Sequence, residues 1–379
     1  MRRARDCRDR RLIAIKIRGA KEVAAEKIVE NVFSYASENI AETVRLATRS
    51  IEFAFINDSL LIMNQDHETI ILKVPDLTEA LTYFIEHLNF RLNMIVPADD
   101  LKIALISGQG MKIRLVPNEP ESSLLESPHD SQEFIISRAS ESDAWHEGRA
   151  GMQYRDLIPN RLGGRVIASH IRIPDGGDVP DYVHYHKINF QMIYCRAGWA
   201  RLVYEDQGEP FVMRAGDCVL QPPEIRHRVL ESSAGLEVIE IGSPAIHETW
   251  ADHELELPTK QVLPERIFSG QRFLHHQASA AEWMPWGDFE VRDTGIAAAT
   301  NGMASARVLR AKKATTAFIN GHTNEFLFYF VLNGELEIES KNEGAYLLQS
   351  GDSCVIPKGK DYSLLASTGL EFLEVLRPS

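Results

Sequence analysis

The stretch HYHKINFQMIYC, residues 184–195, decides how this chain is read. It has the pattern of a short strand, a turn and a returning strand. Side chains two apart on a strand share a face, so His184 and His186 point the same way. Gln191, on the returning strand, can reach the same interior point. Two imidazoles on one face displace apolar packing, and either a metal ion or a wet surface has to account for them.

The sequence around this stretch repeats. From about residue 141 the chain is nearly all short strands divided by Gly and Pro turns, the pattern of a β-sandwich or barrel. YRDLIPNRLGGRVIASHIRI (154–173) has a counterpart in VRDTGIAAATNGMASARVLRA (291–311). MIYCRAGWARLVY (192–204) matches YFVLNGELEIE (329–339), with Gly198 facing Gly334. RAGDCVLQPPEIRH (214–227) matches QSGDSCVIPKGKDY (349–362), with Gly216 facing Gly351 and Pro222 facing Pro357. A constant offset of about 136 residues implies two tandem copies of one barrel.

In the first copy, His184, His186 and Gln191 precede the turn at Gly198; Gly216-Asp217 then opens a strand that ends at Pro222, and His227 follows. This pattern resembles the two sequence motifs of the cupin superfamily. The resemblance covers both copies and implies a mainly β fold: two tandem double-stranded β-helix (jelly-roll) barrels, preceded here by a small α+β domain. It also implies one divalent metal ion in the first barrel, held by His184, His186, Gln191 and His227. Imidazole suits iron, zinc, copper and nickel; Fe(II) is the preferred expectation, with Mn, Zn, Ni or Cu as alternatives.

Cupins usually carry Glu where this chain has Gln191. An amide oxygen is the weaker ligand, so the site is in effect a three-histidine one without a carboxylate base at that position. Three-histidine iron sites occur in cupin dioxygenases that split diketones, gentisate-like aromatics or thiols, whose substrates bring their own anionic group to the ion. The expectation is therefore an enzyme, a three-histidine Fe(II) dioxygenase acting on a small organic acid or oxygenated carbonyl compound. The alternatives are a metal-dependent isomerase or lyase of a sugar-like substrate, or a non-catalytic small-molecule-binding protein. Gln191→Glu is expected to tighten the metal and weaken an anionic ligand.

At the equivalent positions the second copy has Asn320, His322, Leu327 and Tyr362, and is expected to hold no metal. Around the first site, Tyr182 shares the parity of the histidines and is expected to line the cavity. Arg165 and Arg172, with Arg155, are candidates to clamp an anion. Cys195 reads as a small buried hydrophobe, and Glu224 as solvated.

The segments expected are a disordered basic extension at 1–11, an α+β module at 12–118, a Pro-, Ser- and acid-rich linker at 119–140, a metal-binding barrel at 141–260 and a degenerate barrel at 261–379. In the module, AKEVAAEKIVENVF (20–33) and SENIAETVRLATRS (37–50) have helical period. ETIILKV, a helix opened by Pro75 and Asp76, and the runs RLNMIVP, LKIALIS and MKIRLVP then give a β-α-β-β-β order. That order resembles one module of the vicinal-oxygen-chelate (glyoxalase-like) superfamily, with His67 where those enzymes often place a ligand. The last strand offers no partner ligand, so the module is expected to be non-catalytic.

The 379 residues carry a net charge of −13, which disfavours nucleic acid or an anionic membrane as partner. Four scattered cysteines without CxxC spacing fit a reducing cytosol. No segment is long and apolar enough to span a bilayer. A cytoplasmic protein with a small, anionic substrate is expected, assembled as a homo-oligomer, a dimer.

Overall fold

The computed structural model describes residues 51–56, 59–64, 69–118, 133–140, 145–148, 151–340 and 344–377. The extension 1–11, the helical runs 20–33 and 37–50, His67 and residues 119–132 lie outside the described residues. Among the described residues no helix is long and apolar enough to cross a membrane. The chain divides into two compact units. One runs to Glu126 and includes Thr249–Ala251; the other comprises Ser127–Glu248 and Asp252–Ser379.

In the first unit, strand Thr69–Val74 leads into helix Leu77–Glu86 and then strands Arg91–Val96, Ile103–Gly108 and Met111–Pro117, the β-α-β-β-β order read from the sequence. Asp76 caps the helix, its Oδ1 accepting the Glu79 N–H at 2.8 Å, which satisfies one of the donors a helix start leaves open. Leu77, Ala80 and Phe84 share the helix's buried face and join Leu72, Ile106 and Leu115 of the sheet in one core. The last strand returns parallel to the first, Ile70 opposite Ile113. A hairpin not anticipated from the sequence, Ile51–Ile56 with Ser59–Asn64, extends the sheet beside Thr69–Val74.

The second unit is mainly β and holds two jelly-roll barrels in tandem. In the first barrel a large sheet has the strand order 274–276, 218–220, 190–197, 236–243, 167–173, 153–156, 145–147. The second barrel repeats it as 135–137, 353–355, 326–333, 371–377, 305–310, 289–293, 284–286. Alternation along equivalent strands sorts side chains the same way in both. Phe190, Met192 and Tyr194 on one, and Phe326, Phe328 and Phe330 on the other, meet in a single core between the barrels. The odd residues of the first strand face its own barrel, Cys195 joining that interior core.

The edge strands of the two large sheets are exchanged. Ile135–Ser137 precedes the first barrel yet pairs with the second, Ile136 opposite Cys354. Leu274–His276 precedes the second barrel yet pairs with the first, His276 opposite Cys218. This corrects the reading of 119–140 as linker throughout, because 135–137 is a strand. Neither 141–260 nor 261–379 closes its large sheet alone.

The exchange explains the Gly-Asp pair in each copy. The Asp217 Oδ1 accepts the Ala278 N–H at 2.9 Å, and the Asp352 Oδ1 accepts the Ala139 N–H at 2.7 Å. Each aspartate thus anchors the strap that brings in the borrowed strand. The preceding Gly216 and Gly351 both sit at φ 91°, and a Cβ on either would lie 2.9 Å from the Cβ of Ala278 or Ala139. Only glycine suits both the backbone and the close approach.

A buried polar network also crosses the interface. Arg155, 1% exposed, donates to the Gly351 carbonyl at 2.8 Å and to His170 Nδ1 at 3.3 Å. His170 Nε2 therefore carries the proton and donates to Glu237 Oε2 at 2.9 Å, and Arg196 also pairs with Glu237. The hydrogen bond from His170 is the largest cause holding the Glu237 carboxyl down at about 2, from 4.5. Burial lowers the pKa of His170 from its usual 6.5. A carboxylate with a depressed pKa stabilises above its unfolded value and loses that contribution as pH falls through the folded one. A histidine kept neutral by burial also loses stability as pH falls below 6.5. Both signs agree. Stability is expected to fall between pH 6.5 and 2, with Glu237→Gln removing about 2–3 kcal/mol of that dependence, read from urea midpoints across pH.

Candidate metal centre

Strand His184–Lys187 pairs with strand His227–Ser232, and the register sets His184 opposite His227. The strand's period of two turns His186 the same way as His184, so three imidazoles converge. Their ring centroids are 4.2 to 5.3 Å apart. One ligand atom from each lies within 4.8 Å of the others, and all three residues are buried. Among the described residues this is the one such group.

Two of the rings are set by the backbone. His184 Nδ1 faces the Tyr182 carbonyl oxygen at 2.8 Å, and His227 Nδ1 faces that of Ile225 at 3.0 Å. A carbonyl can only accept, so each Nδ1 carries the hydrogen and each Nε2 keeps its lone pair for the centre. Asp181, 5% exposed, lies 3.5 Å from His184 Nδ1 and accepts the Tyr182 and Val229 N–H groups. Tyr204 stacks on His227 at 5.3 Å. These contacts make a donor set suited to a divalent ion of the Zn, Fe or Mn kind.

Beside the histidines is a cavity of about 80 Å³. Its polar lining is the three histidines with Gln191, Gln221 and Glu240; Tyr154, Ile171, Leu202, Met213 and Val238 are among its apolar walls. Gln191 Nε2 donates to Glu240 Oε1 at 2.8 Å. The site therefore contains a carboxylate, on strand Leu236–Ser243 rather than at position 191. Glu240 and Gln221 were not singled out from the sequence. The signal for Glu240 was present, since it shares strand parity with the buried Leu236 and Val238.

The other candidates are placed elsewhere. Tyr182 is not among the lining residues, because the strand begins only at His184 and parity does not extend back to it; its carbonyl holds the His184 ring, and its own ring stands edge-on to that imidazole at 5.8 Å. Arg172 lies between Ile171 and Ile173, which line the cavity, and so points to the opposite face. There it stacks over Trp145 at 4.0 Å and donates to Gln153. Arg165 follows a short helical turn and donates to the Leu162 carbonyl, and Arg155 serves the interface between barrels. Neither lines the cavity. Burial pushes the Cys195 thiol up to about 12, which makes it a poor nucleophile. Glu224 is exposed.

At the matching place in the second barrel, Leu327 is buried in the apolar core, the Tyr362 and Tyr329 hydroxyls bond at 2.9 Å, and His322 Nε2 lies 3.1 Å from the Ile356 carbonyl. The acidic position is kept as Glu374, which pairs with Arg307.

The Gln191–Glu240 pair alters what Gln191→Glu is expected to do. The new carboxylate would face Glu240 at hydrogen-bond distance, so the two must repel or share a proton. Metal-free Gln191→Glu protein is expected to lose about 2–4 kcal/mol of stability in chemical denaturation, and the exchanged pair Gln191→Glu with Glu240→Gln to recover most of it.

No protein-family profile matches the chain, and no curated protein matches it in sequence. Solved structures do resemble it. The formate complex of Lactobacillus farciminis oxalate decarboxylase aligns with a TM-score of 0.48 and 16% identity, covering 66% of this chain and 88% of that one. Bacillus subtilis oxalate decarboxylase at pH 4.6 gives 0.48 and 14%, over 68% and 80%. A study of the Mn(II) centres of the Bacillus subtilis enzyme gives 0.47 and 14%, over 68% and 81%.

Proposed function

We propose that the chain is a metal-dependent enzyme acting on a small organic acid or oxygenated carbonyl compound, as a three-histidine Fe(II) dioxygenase. The observation that supports this reading is the convergence of His184, His186 and His227 on a small, largely apolar cavity. A divalent ion held there supplies Lewis acidity and the positive charge that an anionic substrate requires. The chain's own residues do the rest. The Tyr182 and Ile225 carbonyls keep the Nε2 atoms of His184 and His227 directed inward. Gln191 and Glu240 hold each other in place, and the apolar walls exclude water from the substrate.

The cavity volume corresponds to roughly five to eight water-sized positions, room for a compact molecule. A sugar-like substrate fits poorly, because each hydroxyl buried against Ile171, Leu202 or Val238 would lack a partner. The first unit is, on this reading, a non-catalytic glyoxalase-like module, and the protein a cytoplasmic dimer. The test is anaerobic loading with Fe(II) or Mn(II), then oxygen uptake and product analysis over a panel of small carboxylic acids and diketones. Oxygen consumption with Fe(II) is the expected result. Turnover with Mn(II) and no oxygen consumption would replace the dioxygenase by a lyase, and tight binding without turnover would leave a binding protein.

A further inference from the structure

The cavity's charge is as informative as its size. Among the described residues no lysine or arginine lines it, whereas Glu240 does. In the second barrel the equivalent Glu374 has Arg307 as cross-strand neighbour and ion-pair partner; Glu240 has Ser169 at that register position. The first barrel therefore keeps the carboxylate without that guanidinium. On another part of the wall, the Tyr204 hydroxyl donates to Gln221 Oε1. This turns the Gln221 amide so that its NH2 is the group available to a ligand oxygen.

We propose that this site selects monoanions with an apolar body, such as enolisable ketones or short monocarboxylates, and rejects dicarboxylates. Glu240 repels a second negative charge, and Gln221 donates to a ligand oxygen. The inference rests on the metal-centre reading above. A second carboxylate would be buried among apolar side chains with no lysine or arginine to pair with and Glu240 on the same cavity wall. Both effects are severe where the permittivity is low.

The test compares acetylacetone with malonate as ligands of Mn(II)-loaded protein, followed calorimetrically. The two have the same number of non-hydrogen atoms and offer two oxygens in a 1,3 relation, but differ in charge and in what they present to the walls. Acetylacetone is expected to bind at least about tenfold tighter, although malonate chelates as a dianion. Glu240→Gln, compared at equal metal content, is expected to narrow that gap about tenfold. Gln221→Met is expected to weaken acetylacetone about tenfold without removing the metal. Malonate binding as tightly as acetylacetone to the wild-type protein overturns the proposal and leaves the metal-centre reading standing. Failure of both to bind metal-loaded protein overturns that reading as well. An unchanged gap in Glu240→Gln, or unchanged affinity in Gln221→Met, overturns the role given to that residue.

Discussion

Replacing His184 with alanine is expected to abolish stoichiometric metal. His184 is 1% exposed, supplies one of three converging imidazoles, and lies opposite His227 in the strand register. Losing even an outer hydrogen-bond partner of a ligand typically costs 10–100-fold in affinity. Losing one of three ligands outright should exceed that, to at least about a thousandfold. Elemental analysis of protein purified without a chelating tag measures it, with circular dichroism to show that the barrel still folds. His322→Ala, at the equivalent place in the second barrel, should leave metal content unchanged. Undiminished metal in the His184 variant would reject the assignment.

A chain ending at Pro258 is expected to fail as a folded protein. It would lack the strand Leu274–His276 that closes the first barrel's large sheet, and the Ala278 strap anchored on Asp217. It would also expose Phe190, Met192 and Tyr194, which are 6%, 0% and 3% exposed in the full chain. At about 1.5–3 kcal/mol for each large side chain left uncovered, the loss from this face and the open sheet edge is comparable to the whole stability of a typical domain. Insoluble protein, or soluble protein that binds a hydrophobic dye and melts without a cooperative transition, is the expected outcome. A soluble, cooperative, metal-loaded fragment would show that the second barrel is dispensable.

The parts of this architecture that could be read in the sequence are those written locally. His184 and His186 share a face because a strand has a period of two, and that rule needs no tertiary information. The duplication could be read because turn glycines such as Gly216 and Gly351 are dictated by backbone geometry and recur at a fixed offset. Parity gave a wrong place for Tyr182 because it holds only inside a strand, and this strand starts two residues later. The arginines misled because Arg155 and Arg172 alternate away from the interior, one into the interface and the other onto Trp145. Glu240 was overlooked because its partner Gln191 lies on another strand, and only their pairing shows that the carboxylate missing at 191 is supplied from 240. The exchanged strands left no local trace: each is three residues long and pairs with a segment far along the chain.

The exchange also sets an order of events for a chain made from its N-terminus. Ile135–Ser137 emerges from the ribosome long before its partner Ser353–Val355 exists, and its apolar side chains must wait through the synthesis of the entire first barrel. That barrel can close its large sheet only once residues 274–276 are out. The histidine cluster, whose residues all come before 228, can therefore gather while the surrounding wall is still open. An ion captured at that stage would act as a nucleus on which the nascent first barrel organises before the second is available to cover it.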